Sequence, residues 1–404
     1  MKYGLLSALL SVIVLLSNCT ANSTVLSDTA ASLNPSTSST NTSTSNDELT
    51  IKLRSIWLVG GTKTAGTPAV ATAAGAFAGD LDYYDPTTNT WGTVTSATWT
   101  GTYAPKLKAA VAGYNGKIYV LGGFAEGGAN SGTVQIYDIA TNAWSTGTAL
   151  GTNLAVTAYT RVGTKIYMLN GTAAATATTA FASILTLNIY DISNNAWTTG
   201  TNVSVTGVEG CAMNDGYSLY KVSGKSAAAT VGVSTTSYQY VNIQSSPTTN
   251  LLFGAGATAT ASTAAACVWL PGTSSIPPKI LMIGGYTAIT GSTGNMTPLL
   301  GTTTMTPSAN VQSSSFPHSG AFSTIGTIPA ATAYAAAVYT SSGIYFFGGN
   351  TSAAAASAAS SAPTNAVYAS HPTLLFFQAT QPLSTTSIPV MPTARWGHGA
   401  VTVQ

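Results

Sequence analysis

Few side chains in this chain of 404 residues can carry acid–base or metal chemistry. There are three histidines, His318, His371 and His398, and no two of them stand at metal-ligand spacing. No metal or cofactor site is therefore expected. The carboxylates that do not fall in recognisable turns are Asp80, Asp82, Glu126, Glu209 and Asp215. Glycoside hydrolysis would need two of them opposed across one bond. No carboxylate side chain follows Asp215, and after Lys225 only Lys279 and Arg395 are charged. The nearest materials for catalysis are Arg161, Glu209, Arg395 and His398, each in or beside a strand that the repeat pattern below makes innermost. His398, between two glycines, reads first as a packed or hydrogen-bonded strand residue rather than a ligand.

Composition points the same way. Charged residues make up 6% of the chain, against roughly 25% in ordinary soluble domains. The net charge of +2 provides no electrostatic footprint for nucleic acid. Hydrophobic residues at 45% are ample for a core.

The elements that must position these residues repeat. A short apolar strand ends in a glycine pair or its remnant six times, beginning with Ile56-Trp57-Leu58-Val59-Gly60-Gly61 and Ile118-Tyr119-Val120-Leu121-Gly122-Gly123. The later copies end at Asn170-Gly171, Ser223-Gly224, Gly284-Gly285 and Gly348-Gly349. The second glycine recurs at intervals from 48 residues (Gly123 to Gly171) to 64 (Gly285 to Gly349), a period that signals stacked supersecondary units. A second pattern follows the first three copies at identical spacing. Tyr84-Asp85 precedes Asn89 and Trp91, Tyr137-Asp138 precedes Asn142 and Trp144, and Tyr190-Asp191 precedes Asn195 and Trp197. Asp and Asn suit a tight turn, while Tyr and Trp supply large buried area between units.

Glycine pairs, Tyr-Asp and Trp at these offsets resemble the Kelch repeat, whose units are four-stranded propeller blades. The resemblance spans residues 55–404 and is sharpest in the first three units. Units four to six are degenerate: the fourth keeps Tyr238 and Tyr240, and the sixth has Val367-Tyr368 where the family shows Tyr-Asp. It implies an all-β, six-bladed Kelch-type β-propeller. The first unit lacks an inner strand, and the chain finishes on Arg395-Trp396-Gly397-His398-Gly399-Ala400-Val401-Thr402-Val403, which resembles one. Pairing these residues beside residues 55–61 closes the ring and removes exposed sheet edges. In such a blade the second-to-third and fourth-to-first connections share one face, and the long Ala/Thr/Ser/Gly-rich segments gather there. They read as a binding face or as tolerated insertion.

Ahead of the repeats, Lys2 and the apolar residues 5–16 form a signal-like segment too short to span a bilayer as an ordinary helix. Leu16-Ser17-Asn18-Cys19 resembles the lipobox of bacterial lipoproteins, which implies cleavage before Cys19 and lipid attachment there. Plain secretion and an uncleaved anchor are the other readings. The expected organisation is a signal peptide over residues 1–18, a Ser/Thr-rich flexible tether over 19–50 and the propeller over 51–404. Thr20 favours the outer membrane or cell surface. Cys211 and Cys267 stand at comparable inner-strand positions. Export permits a disulfide, but neighbouring inner strands are not paired in one sheet, so two small buried thiols are the expectation.

Two functions remain open on these residues. One is a monomeric, non-enzymatic binding module for an unidentified protein or glycan, held to the membrane by its lipid alone. The other is a carbohydrate-active enzyme working at the channel mouth, as a channel-mouth Arg–Glu set would in the periplasmic Kelch-type sialic-acid epimerases (mutarotases). A structural envelope protein is the blander third.

Overall fold

The structure is a computed structural model. It describes residues 43–65, 73–155, 158–173, 184–202, 208–224, 235–243, 254–274, 277–290, 304–315, 322–351, 362–373 and 375–404. The expected signal peptide, Cys19, His318 and parts of the long loops lie outside these residues.

The chain forms six sheets arranged as propeller blades. Blade one holds β1 (Ile56–Val59), β2 (Leu81–Asp85), β3 (Thr90–Val94) and the last strand, β25 (Gly399–Val401), in the order β25-β1-β2-β3. Blade two is β4 (Ala110–Tyr114), β5 (Lys117–Leu121), β6 (Val134–Asp138) and β7 (Ala143–Gly147). Blade three is β8 (Ala158–Val162), β9 (Lys165–Leu169), β10 (Thr186–Asp191) and β11 (Ala196–Asn202). Blade four runs through β12 (Cys211–Asn214), β13 (Ser218–Val222), β14 (Thr235–Asn242) and β15 (Gly254–Ser262).

Blade five uses β16 (Ala266–Leu270), β17 (Lys279–Ile283), β20 (Asn310–Ser315) and β21 (Ser323–Thr327), with a separate hairpin of β18 (Tyr286–Thr290) and β19 (Thr304–Pro307) in its second-to-third connection. Blade six has three strands, β22 (Ala336–Thr340), β23 (Gly343–Phe347) and β24 (Val367–Ser370). Its outer edge is reduced to isolated bridges, Ala369 to Gln378 and Thr380 to Ser387. The innermost strands neighbour one another in the circle β25, β4, β8, β12, β16, β22 and back to β25.

Closure takes the expected form. Trp57 pairs with Val401, Leu58 with Ala400 and Val59 with Gly399, all antiparallel. The propeller unit begins earlier than position 51, because α1 (Ser43–Arg54) is helical from within the expected tether. Leu49 and Leu53 pack on the core of blades one and two, and Arg54 forks onto Asp85 at 2.6–3.2 Å. Glu48 and Lys52 add an i,i+4 ion pair. That apolar and ionic purchase overrides the weak helix propensity of the Ser/Thr run.

Each repeat signature has a mechanical role at a blade seam. The second glycine of a pair donates its N–H to a carbonyl of the next blade: Gly61 to Lys106 at 2.8 Å, Gly123 to Leu154 at 2.7 Å, Gly285 to Thr332 at 2.8 Å and Gly349 to Arg395 at 2.9 Å. Gly61 sits at φ +81°, and a Cβ there would stand 2.7 Å from the Trp396 carbonyl oxygen, so glycine is required. At the outer rim Tyr84, Tyr137 and Tyr190 donate to Asn89, Asn142 and Asn195 at 2.6–2.7 Å. Those asparagines take the left-handed conformation, at φ 57°, 52° and 50°. Asn89 and Asn142 then donate to Ser387 and Thr98 carbonyls of the preceding blade. Trp91 and Trp197 do likewise to Pro389 and Thr148, whereas Trp144 stacks on Tyr103 at 4.1 Å.

One expectation fails. Cys211 and Cys267 are joined in a disulfide, with 5.8 Å between their Cα atoms. Inner strands of neighbouring blades are not paired in one sheet, but they crowd near the propeller axis. There the Cα separation falls within bridging reach.

Candidate functional site: the axial cavity

Six connections enter the inner strands, and five are described at the same point. Lys108, Glu209, Ala264, Tyr334 and Gly397 each stand two residues ahead of the inner strand, with φ between 54° and 64°. Four of these are not glycine. A left-handed conformation at such residues is unfavourable, and outliers of this kind cluster where side chains must be aimed. Here the shared backbone turn delivers a ring of side chains to one level of the axis.

That ring and the next three residues of the inner strands line a cavity of about 250 Å³. Half of its lining residues are alanine, including Ala212, Ala337 and Ala400, and Tyr159 and the disulfide also line it. Small residues suit the narrow axis. One buried cluster of aromatic and aliphatic side chains adjoins this level and includes Phe124, Tyr286, Tyr334 and Trp396.

The polar groups converge at the ring. Lys108 Nζ lies 2.7 Å from Glu209 Oε1, with side chains 5% and 2% exposed. The Tyr334 hydroxyl donates to the same oxygen at 2.6 Å, and Lys108 Nζ sits 3.9 Å above the Tyr334 ring. Burial and the adjacent Glu209 carboxylate push the Tyr334 phenol well above its ordinary value, so it stays a donor. His398 lines the same cavity. It is buried, and neither ring nitrogen has a hydrogen-bond partner. Burial, helped by the Arg395 charge, pushes its pKa down to about 3. The imidazole is therefore neutral at ordinary pH, offering one N–H and one lone pair.

Of the four catalytic candidates, the structure brings Glu209 and His398 into the cavity. Arg395 is fully buried beside it, paired with Asp82. Arg161 lies at the far end of β8, donating to the Gly163 carbonyl at 2.7 Å with its guanidinium 5.1 Å from the Tyr114 ring centre. Among the cavity-lining residues Glu209 is the one carboxylate. Asp80 and Asp215 serve local turns or backbone amides, Glu126 caps the Gly75 N–H and His371 is held by Thr373. Among the described residues no group of three or more His, Cys, Asp or Glu forms a metal-ion cluster.

Lys108 and Tyr334 escaped the sequence reading. The available signal was positional: aligning the six inner-strand entries on Gly397 places Lys108, Glu209 and Tyr334 in one column. They are 101 and 125 residues apart along the chain from Glu209, so no local motif joins them.

Comparison with known proteins agrees with this architecture. A family model described as the Kelch motif matches residues 107–151, which cover blade two. No curated protein sequence matches the chain. A solved structure titled "Structure of YjhT" is similar at a TM-score of 0.55 and 14% identity, over 72% of this chain and 88% of that one. At that identity the likeness bears on the fold alone.

Proposed function

We propose that this chain is a binding module of the cell envelope, tethered by a lipid on Cys19, whose ligand seats in the axial cavity. One observation carries the reading: Lys108, Glu209 and Tyr334, from three different blades, form one buried hydrogen-bonded set at the wall of the cavity. The left-handed residues Lys108, Glu209 and Tyr334 converge at the same level, which is what an aimed site requires. A pocket with apolar walls and a few convergent polar groups is the usual form of a small-molecule site.

The tether is read from the apolar segment ending in Leu16-Ser17-Asn18-Cys19. Screening the full-length chain on glycan and protein arrays, with the cavity-filling variant Ala337→Phe alongside, tests the binding. A ligand captured equally by both proteins places binding elsewhere. Labelling with a palmitate analogue tests the anchor, and a label retained in Cys19→Ser rules it out.

A second reading, a carbohydrate-active enzyme of the sialic-acid epimerase (mutarotase) kind, is favoured by the pairing of Glu209 and Tyr334 at the cavity. A carboxylate and a phenol are groups that can relay a proton between an anomeric hydroxyl and a ring oxygen. The two arginines that would hold an acidic sugar are committed elsewhere. Anomeric exchange followed by NMR decides: a rate no faster than buffer, or one unchanged in Glu209→Gln, removes this reading.

A further inference from the structure

The Cys211–Cys267 bridge lies in the wall of the axial cavity, not behind it. Both cysteines line the cavity and both are half-buried, whereas their strand neighbours Met213, Ala266 and Val268 are buried. The wall around the bridge is made of small residues. Gly210 and Ala212 flank Cys211, and Ala265 and Ala266 lead into Cys267, so a molecule inside the cavity meets sulfur with little side chain in the way. A bridge sealed in a core reacts only when the protein unfolds, but an accessible one exchanges with any thiolate that reaches it.

The dithiol state is also provided for. The Val222 carbonyl oxygen lies 3.7 Å from Cys211 Sγ. A disulfide has no hydrogen to give it, whereas a thiol S–H can donate there. Other ties hold blades four and five when the bridge opens. The Ala264 N–H donates to the Glu209 carbonyl at 2.8 Å, Tyr220 and Trp269 stack with ring centres 5.7 Å apart, and Met213 and Val222 share a buried cluster with Ile280 and Met282. Opening the bridge therefore lowers stability without breaking the seam.

We propose that the Cys211–Cys267 disulfide is a thiol-exchange site reached through the axial cavity, with thiols of amino-acid size as its substrates. An entering thiolate bonds to one cysteine sulfur as the bridge breaks, and the other cysteine leaves as thiolate and takes up a proton. A second small thiol then displaces the first. The bridge gains two electrons, and the two small thiols depart joined as their own disulfide. At about 250 Å³ the cavity falls below the roughly 300–1,000 Å³ of drug-sized sites, which excludes the thiol of a folded protein. This chemistry needs no other ligand in the cavity.

The test exposes the folded full-length chain to L-cysteine, glutathione and pre-reduced thioredoxin at about pH 8, close to the thiol pKa. Acid quenching, alkylation and peptide mass spectrometry then follow Cys211 and Cys267 separately from Cys19. Cysteine should open the bridge fastest, leaving a cysteinyl adduct on one of the two sulfurs. Glutathione should be slower, thioredoxin should leave the bridge closed, and the thermal transition should persist throughout. Ala337→Phe fills the cavity from β22, the inner strand next to β16 with its Cys267. It should slow cysteine at least about tenfold in the folded chain, and not at all in denaturant, where access no longer matters.

Thioredoxin acting as fast as cysteine would make this an open surface bridge. A bridge that no thiol opens before unfolding would be a sealed staple. Either result overturns the exchange site, as does a cysteine rate that Ala337→Phe leaves unchanged. If Ala337→Phe does not fold, the size series on the parent chain still decides.

Discussion

Asp82 on the second strand and Arg395 at the end of the chain hold one another inside the closing blade, with side chains 1% and 0% exposed. Thr93 donates to the other Asp82 oxygen at 2.6 Å. Burial pushes the Asp82 carboxyl up and the Arg395 guanidinium down, so desolvation opposes both charges and their attraction answers it only in part. Removing one partner strands the other. Asp82→Leu or Arg395→Met should therefore each cost about 3–5 kcal/mol, while the double variant Asp82→Leu/Arg395→Met should recover much of that loss. Denaturant unfolding of the full cycle reads this, and strictly additive losses would disprove the coupling.

Closure by β25 makes the whole ring depend on its last residues. Deleting residues 390–404 removes β25, the fully buried Trp396 and Arg395, and the carbonyl that takes the Gly349 N–H. The truncated chain should lose its cooperative thermal transition. A sharp transition at the original temperature would mean that the ring does not close this way.

Between blades four and five the disulfide stands where the outer-rim Tyr-Asn-Trp latch is missing from the sequence. It encloses a separation of 56 residues, so chain entropy assigns it about 4 kcal/mol, with measured bridges typically at about 2–4. Cys211→Ala/Cys267→Ala should be destabilised by that order. Native mass spectrometry after alkylation should find no label at either cysteine of the unmodified protein, and two labelled thiols would contradict the bridge.

His398 should shape the acid limb of the stability curve. In the folded chain it resists protonation down to about 3, whereas unfolded it takes a proton near pH 6.5. Its contribution is complete above that value and is lost as pH falls towards 3, at about 1.4 kcal/mol per pH unit. The depressed carboxylates Asp85, Asp138 and Asp191 weaken the fold in the same direction at lower pH. The difference between His398→Asn and the parent isolates the histidine. The variant should show a flatter slope between pH 6 and 4 in denaturant midpoints, and parallel slopes would refute the assignment.

Blade number and ring closure were legible in the sequence because the signals that set them are local. Tyr84 reaches Asn89 and Tyr137 reaches Asn142 within five residues, and the left-handed asparagine and the glycine pair act on their own backbone. The start of the folded unit was less legible. Leu49, Leu53 and Arg54 gain their partners only once blade one exists, so a Ser/Thr-rich stretch reads as linker until that surface is present.

Glu209 and His398 were recognised as inner-strand residues from the repeat, yet what surrounds them was not. The sequence by itself determined six blades, the closing strand and the small residues along the axis, since each follows from short-range pattern. The tertiary structure alone decided the disulfide, the Lys108–Glu209–Tyr334 set and the capture of Arg395 by Asp82. Those pairings link residues from 56 to 313 positions apart, and only the curvature of the closed ring determines which of them meet at the axis.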